Sequence, residues 1–177
     1  MEKPSEWVAL AFQVDREAFV ARCSWPILLA ANEPEPQVSS GAITETFADE
    51  VTYGSLKKPD PPRLRAVTGR PALYPVRKVH TMIPLGIILG RAPTSDILLA
   101  DRQVSKSHAL FRSDSDGWML SDIGSRNGTC VNERRLEPHS EAVALRLGDI
   151  VSFGYRAFFF LDAATSWERI RAAAKRE

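Results

Sequence analysis

The sequence predicts an all-β protein, a sandwich of two antiparallel or mixed sheets with a short helical segment before it and one α-helix after it. Three observations carry that prediction. From residue 72 onward short apolar stretches recur, separated by Gly, Asp and Asn turns rather than by long polar gaps. The end of the chain then changes to helical periodicity. A length of 177 residues with 44% apolar and 25% charged side chains suits one globular domain with a core and some appendages.

Residues 1–31 read as a small helix and strand appendage. Asp15 can cap a helix that places Phe19, Val20 and Cys23 on one face. Pro26 stops it, and Ile27 to Ala31 reads as a buried strand or an extended packing segment. Trp7 and Trp25 add more apolar surface than so short a piece can bury alone, so it must pack on the main domain or associate with a second copy. Residues 32–71 read as a linker. Glu33-Pro34-Glu35-Pro36 is acidic and stiff, and Pro59, Pro61 and Pro62 close the far end, a composition that favours extended chain.

Residues 72–162 hold the sandwich. The expected strands are Leu73–Val79, with Pro75 suiting an edge, then Leu85–Leu89, Asp96–Leu99, Ser107–Arg112, Trp118–Asp122, Thr129–Asn132, Ala142–Leu147, Ile150–Gly154 and Ala157–Leu161. Asp114-Ser115-Asp116-Gly117 has the composition of a hairpin turn. Residues 163–177 form the helix. Thr165 with Glu168 makes a capping box, Trp167, Ile170 and Ala174 make a stripe, and Arg169, Arg171, Lys175 and Arg176 face outward.

The net charge of +1 gives no nucleic-acid signal over the whole chain, although its distribution is uneven. Residues 1–56 carry three basic and nine acidic side chains, and residues 57–91 carry eight basic and one acidic. Two cysteines, Cys23 and Cys130, do not make a disulfide framework and read as small buried side chains. The first residues lack the layout of a signal peptide, and no apolar run reaches bilayer length, so a cytoplasmic protein without membrane contact is expected. The three histidines are widely separated, so neither a metal nor another cofactor is expected.

Three pieces between Gly90 and Thr129 belong together. They are Gly90-Arg91, Ser105-Lys106-Ser107-His108 and Gly124-Ser125-Arg126-Asn127-Gly128-Thr129. Each sits where a strand meets a loop, and loops at one end of a sheet bring distant residues side by side. They would gather a guanidinium, hydroxyls, an ammonium and an amide around an anion. Arg91 can donate two parallel hydrogen bonds to two phosphate oxygens. Ser105 can donate a hydroxyl, and Lys106 adds a point charge.

Gly90-Arg91, then Ser105-x-x-His108, then Asn127-Gly128-Thr129, followed by Gly148-Asp149 and Phe153-Gly154, resembles a forkhead-associated (FHA) domain over about residues 72–162. The resemblance implies an FHA-like β-sandwich that binds a phosphothreonine peptide in extended form, with selectivity at the third residue after the phosphothreonine. It implies that Arg91, Ser105 and Lys106 bind phosphate and that Asn127 clamps the ligand main chain. Gly90, His108, Gly128 and Thr129 would support the site. Gln103, Asn132 and Arg134 are candidates for selectivity. Two positions depart from the family pattern. Ser107 stands where relatives often carry a longer basic residue. Arg126 stands where they often carry Ser or Thr; pointing inward it would be a second guanidinium for the phosphate, and pointing outward it would favour acidic ligand residues.

Three function classes follow, in order. The first is a non-catalytic phosphothreonine reader, an adaptor or regulator in Ser/Thr kinase signalling, with a kinase or a kinase substrate as partner. The second is a phosphorylation-independent protein assembly module. A hydrolase built on Ser105, His108 and Asp122 is a distant third, because no G-x-S-x-G elbow, P-loop or metal cluster accompanies it. Thr44 and Thr46 lie in an acidic stretch and are candidate phosphosites that could occupy the binding site of the same chain or of a second molecule.

Overall fold

The computed structural model describes residues 3–30, 72–80 and 86–173. The expected linker, Thr44, Thr46 and Ala174 lie outside the described residues. Two sheets face each other. One has the strand order β2-β1-β11-β10-β7-β8, from β1 (Ile27–Ala30), β2 (Leu73–Pro75), β7 (Thr129–Val131), β8 (Arg134–Arg135), β10 (Ile150–Phe153) and β11 (Arg156–Leu161). The other has the order β4-β3-β5-β6-β9, from β3 (Ile87–Gly90), β4 (Ile97–Leu98), β5 (Ala109–Asp114), β6 (Gly117–Asp122) and β9 (Val143–Leu145). All pairings are antiparallel except β3 with β4, which is parallel.

The core between the sheets takes alternate residues from each strand. Leu28, Leu89, Phe111, Leu120, Val151, Phe153, Phe158 and Phe160 meet there. The outer face of the six-stranded sheet carries a second core. Helices α1 (Pro4–Gln13), α2 (Arg16–Arg22) and α3 (Ala163–Ala173) cover it. Trp7, Ala11, Phe19, Cys23 and Ile170 pack there on Ile27, Leu29, Leu73 and Leu161. This explains why β1 is apolar at every position. Ile27 and Leu29 face the helices, Leu28 and Ala30 face the sandwich, and all four are buried. A strand buried on both faces has no reason to alternate.

The structure corrects several expectations. The stretch expected as an appendage is built into the body: β1 lies between β2 and β11 in register, with Leu28 opposite Phe160. Of the two alternatives for covering its apolar surface, packing on the main domain accounts for Trp7, Ala11, Phe19 and Cys23, while Phe12 and Val20 stay exposed. A helix at Pro4–Gln13 precedes the one expected at Asp15. The Asp15 cap is present, with Asp15 Oδ1 accepting from Ala18 N at 2.8 Å, but Val20 is exposed rather than packed with Phe19. Helix α3 starts two residues before Thr165. Asp162 Oδ1 accepts from Thr165 N at 2.6 Å, so Asp162 takes the role expected of Thr165. Arg169 and Arg171 do not simply face solvent, for their guanidinium groups stack on Phe159 at 4.4 Å and on Trp167 at 5.1 Å.

The first expected strand ends at Pro75, on the sheet edge. Beyond it the chain is held by Asp96, whose carboxylate accepts from Val79 N, His80 N, Ile88 N and Lys78 Nζ at 2.7–3.0 Å. Burial pushes the Asp96 carboxyl up, but these hydrogen bonds win and its pKa lies below the ordinary carboxylate value. The hairpin at 114–117 forms as expected, with Asp116 N donating to Asp114 Oδ1 at 2.9 Å.

Candidate functional site

Register places the loops together. Leu89 pairs with Ala109, Ala109 with Asp122, and Thr129 with Phe153. The β3–β4, β4–β5, β6–β7 and β10–β11 connections therefore leave from one end of the sandwich. Backbone bonds lock the first two loops, with Arg91 N donating to Ser105 O at 2.8 Å and Ala92 N to Lys106 O at 3.1 Å. The close approach needs glycine at residue 90, since a Cβ there would stand 2.1 Å from Lys106 O.

Ser105 joins the second loop to the third. Its Oγ accepts from Arg126 N at 3.0 Å, and a hydroxyl that accepts still has its own proton to donate. Arg91 is exposed, and its Nε donates to Val104 O at 3.1 Å. That contact orients the guanidinium and leaves its two terminal nitrogens as donors. Lys106 and Arg126 are also exposed, and among the described residues no carboxylate pairs with Arg91, Lys106 or Arg126. Three cations with no carboxylate partner among the described residues and a hydroxyl thus sit on adjacent loops at one end of the sandwich.

Two buried polar side chains brace these loops. His108 Nδ1 accepts from Ser105 N at 3.0 Å, which puts the proton on Nε2, and Nε2 donates to Gly128 O at 3.2 Å. Burial holds its pKa below the ordinary imidazole value, against weaker upward pulls from Gly128 and Asp122. A neutral imidazole is the form that can accept from one loop and donate to the other. Asp122 accepts from Gly124 N at 2.9 Å, Ser125 N at 2.7 Å, Ser125 Oγ at 2.6 Å and Thr129 Oγ1 at 2.7 Å. Burial raises its pKa, but those donors lower it further, so it stays ionised. His108 meets the backbone of Ser105 rather than its hydroxyl, and Asp122 is occupied by its own loop. Neither contact makes a nucleophile and base pair.

Asn127 Nδ2 donates to both Gln103 O at 2.8 Å and Gln103 Oε1 at 2.9 Å. The main-chain carbonyl of Asn127 accepts from Arg135 Nη2 at 2.9 Å. Gly128 has φ +87° and lies against that guanidinium, so no side chain fits there without moving Arg135.

The FHA domain family model matches residues 87–154. This chain carries an FHA domain. Similar proteins include the glycogen accumulation regulator GarA of Mycobacterium tuberculosis, 46% identical over 79 residues, covering 45% of this chain and 46% of GarA. The oxoglutarate dehydrogenase inhibitor of Corynebacterium jeikeium is 43% identical over 75 residues, covering 42% of this chain and 49% of that protein. The match thus spans about half the length of these curated relatives. A solved structure from a study of phosphothreonine-dependent FHA domain interactions is 27% identical, covers 50% of this chain and 82% of that chain, and has a TM-score of 0.42.

Within the FHA domain the structure brings Arg91, Ser105, Lys106, Arg126 and Asn127 to one end, with Gly90, His108, Gly128 and Thr129 behind them. Gln103 touches Asn127 directly. Asn132 is a correction. Its Nδ2 donates to Asp149 Oδ1 at 2.8 Å and its Oδ1 accepts from Ile150 N at 2.9 Å, so both ends of its amide hold the turn before β10. Asn132 and Glu133, at φ +48° and +68°, form the two-residue β7–β8 turn, which favours Asn there for backbone reasons. Arg134 is exposed, with Val131 as its cross-strand neighbour. Three contributors escaped the sequence reading: Arg135, Ser125, and Asp122 as a brace. Asp122 and Ser125 could have been found, because a carboxylate two and three residues before Gly124 and Ser125 is a loop-capping pattern. Nothing local marks Arg135. Among the described residues no group of three or more His, Cys, Asp or Glu side chains is placed to hold a metal ion. No helix among them is long and apolar enough to cross a membrane.

Proposed function

We propose that this protein is a non-catalytic reader of phosphothreonine peptides, acting as an adaptor or regulator in Ser/Thr kinase signalling. The observation that carries the proposal is the exposed cluster of Arg91, Lys106 and Arg126 around Ser105. It is held rigid by His108 and Asp122 and has no internal carboxylate to neutralise it among the described residues. Arg91 grips two phosphate oxygens through its terminal nitrogens, Ser105 donates its hydroxyl, and Lys106 and Arg126 add positive charge. Asn127 holds the ligand main chain beside the phosphate. The rigidity matters because donors fixed before binding lose little entropy when the ligand arrives.

The FHA match and the regulatory names of the two bacterial relatives support this reading. The partner would be a kinase or one of its substrates, and a cytoplasmic location goes with it. The test is fluorescence anisotropy on the full chain with matched phosphorylated and unphosphorylated peptide libraries. Binding should require the phosphate and fall at least about tenfold in Arg91→Ala, the loss of more than one charged hydrogen bond. Equal binding of both libraries, insensitive to Arg91→Ala, would transfer the site to a phosphorylation-independent assembly role.

A further inference from the structure

Asn127 is expected to hold ligand main chain, yet both of its donors are already engaged. A primary amide offers two N–H donors and one carbonyl acceptor. One proton goes to Gln103 O at 2.8 Å and the other to Gln103 Oε1 at 2.9 Å. Oδ1 is what remains for a ligand.

The two contacts differ in how readily they break. Gln103 O belongs to a loop fixed at several points. Gln103 N donates to Asp101 Oδ1 at 2.8 Å, Val104 N donates to Asp101 O at 3.1 Å, and Asp101 Oδ2 lies 3.5 Å from Arg156 Nη1. Gly154 packs so closely on this loop that a Cβ there would stand 2.8 Å from Gln103 O. Gln103 Oε1, by contrast, ends an exposed, rotatable side chain.

We propose that the Gln103 carboxamide sets the affinity of the phosphopeptide site by occupying, on Asn127, the position that a ligand main-chain carbonyl takes on binding. This rests on the reading of the site as a phosphopeptide clamp. Binding is then an exchange. The ligand carbonyl replaces Gln103 Oε1, while Gln103 O keeps the other proton and holds the Asn127 side chain in place. Part of the ligand's hydrogen-bond energy is cancelled by the bond it breaks.

The test uses the full chain and the tightest-binding member of a phosphothreonine peptide library selected on wild type. Gln103→Ala should bind it about two- to tenfold more tightly, the range of one net hydrogen bond. Gln103→Glu should bind more weakly than wild type, because a carboxylate holds the Asn127 amide more strongly and repels phosphate. NMR of the Asn127 side-chain amide in the unliganded protein reads the contact without any ligand. Both protons should exchange slowly in wild type, and one should exchange faster in Gln103→Ala. Unchanged or weaker binding by Gln103→Ala, with Arg91→Ala still abolishing it, overturns the exchange and leaves the phosphopeptide reading intact. Identical amide exchange in wild type and Gln103→Ala overturns it as well. Phosphate-independent binding by wild type removes the reading and the exchange together.

Discussion

Gly128→Ala probes the packing beneath the Asn127 clamp. Gly128 has φ +87°, and a Cβ at this position would stand 2.1 Å from Arg135 Nη2 and 2.3 Å from Cζ. Left-handed backbone costs an L residue about 1–2 kcal/mol. The clash is with the far end of a flexible side chain, so Arg135 can swing away, but it then loses its bond to the Asn127 carbonyl. A hydrogen bond from a charged donor contributes about 1.5–3 kcal/mol, and the half-buried setting of Arg135 places it near the lower figure. Gly128→Ala should therefore destabilise the fold by about 2.5–4 kcal/mol. Arg135→Ala removes the same bond and also vacates the space. In that background Gly128→Ala should cost only the backbone term, about 1–2 kcal/mol. Urea unfolding of the wild type, both single variants and the double variant measures this. The double-mutant cycle should give a coupling of about 1.5–2 kcal/mol, the lost hydrogen bond. A cycle that closes with additive effects refutes the argument that Gly128 is required by Arg135. Both single variants should also weaken phosphopeptide binding, because Asn127 loses its support.

Acid should weaken the fold in two windows. The folded-state pKa of His108 is depressed, so the unfolded chain takes up its proton first, and stability falls as pH drops below the ordinary value of 6.5. The Asp96 and Asp122 pKa values are also depressed, so their contribution is complete above 3.8 and is lost as pH falls through their folded values. Urea midpoints across pH should decline in that order, and His108→Gln should flatten the upper window while lowering stability throughout. Asp122→Asn should cost about 1–3 kcal/mol by thermal melts, because the new NH2 faces donors from Gly124, Ser125 and Thr129. Phosphorylating Thr44 or Thr46 should lower affinity for external phosphopeptide. Ala30 N donates to Ala72 O at 2.9 Å, so both ends of that segment meet at the same end of the sandwich as the binding loops. Unchanged affinity after stoichiometric phosphorylation would count against occupation from within.

The sandwich was legible because its strands are short and its turns carry Gly, Asp and Asn, which act through local backbone preferences. The chain before residue 31 was harder to read. Ile27 to Ala30 is apolar enough to read as a buried strand, but its place between β2 and β11, one of them more than a hundred residues away, is set by pairing alone. Asn132 misled for a related reason. Its side chain suits a ligand and a tight turn equally well, and only the position of Asp149 and Ile150 decides between them. Thr165 has the side chain of a helix cap, but Asp162 precedes it and caps the helix three residues earlier, accepting from the backbone N–H of Thr165 itself.

The chain order of residues was enough to name the donors at the site, since a guanidinium, a hydroxyl and an amide owe their chemistry to the side chain alone. Which of them are still free to act was decided by the folded molecule. The Asn127 donors are engaged by Gln103 and the Arg91 Nε by Val104, while Arg135 arrives beneath Gly128 by way of a hairpin. Hydrogen-bond partners are set by distances of a few ångströms between loops, and those distances exist only once the two sheets have paired.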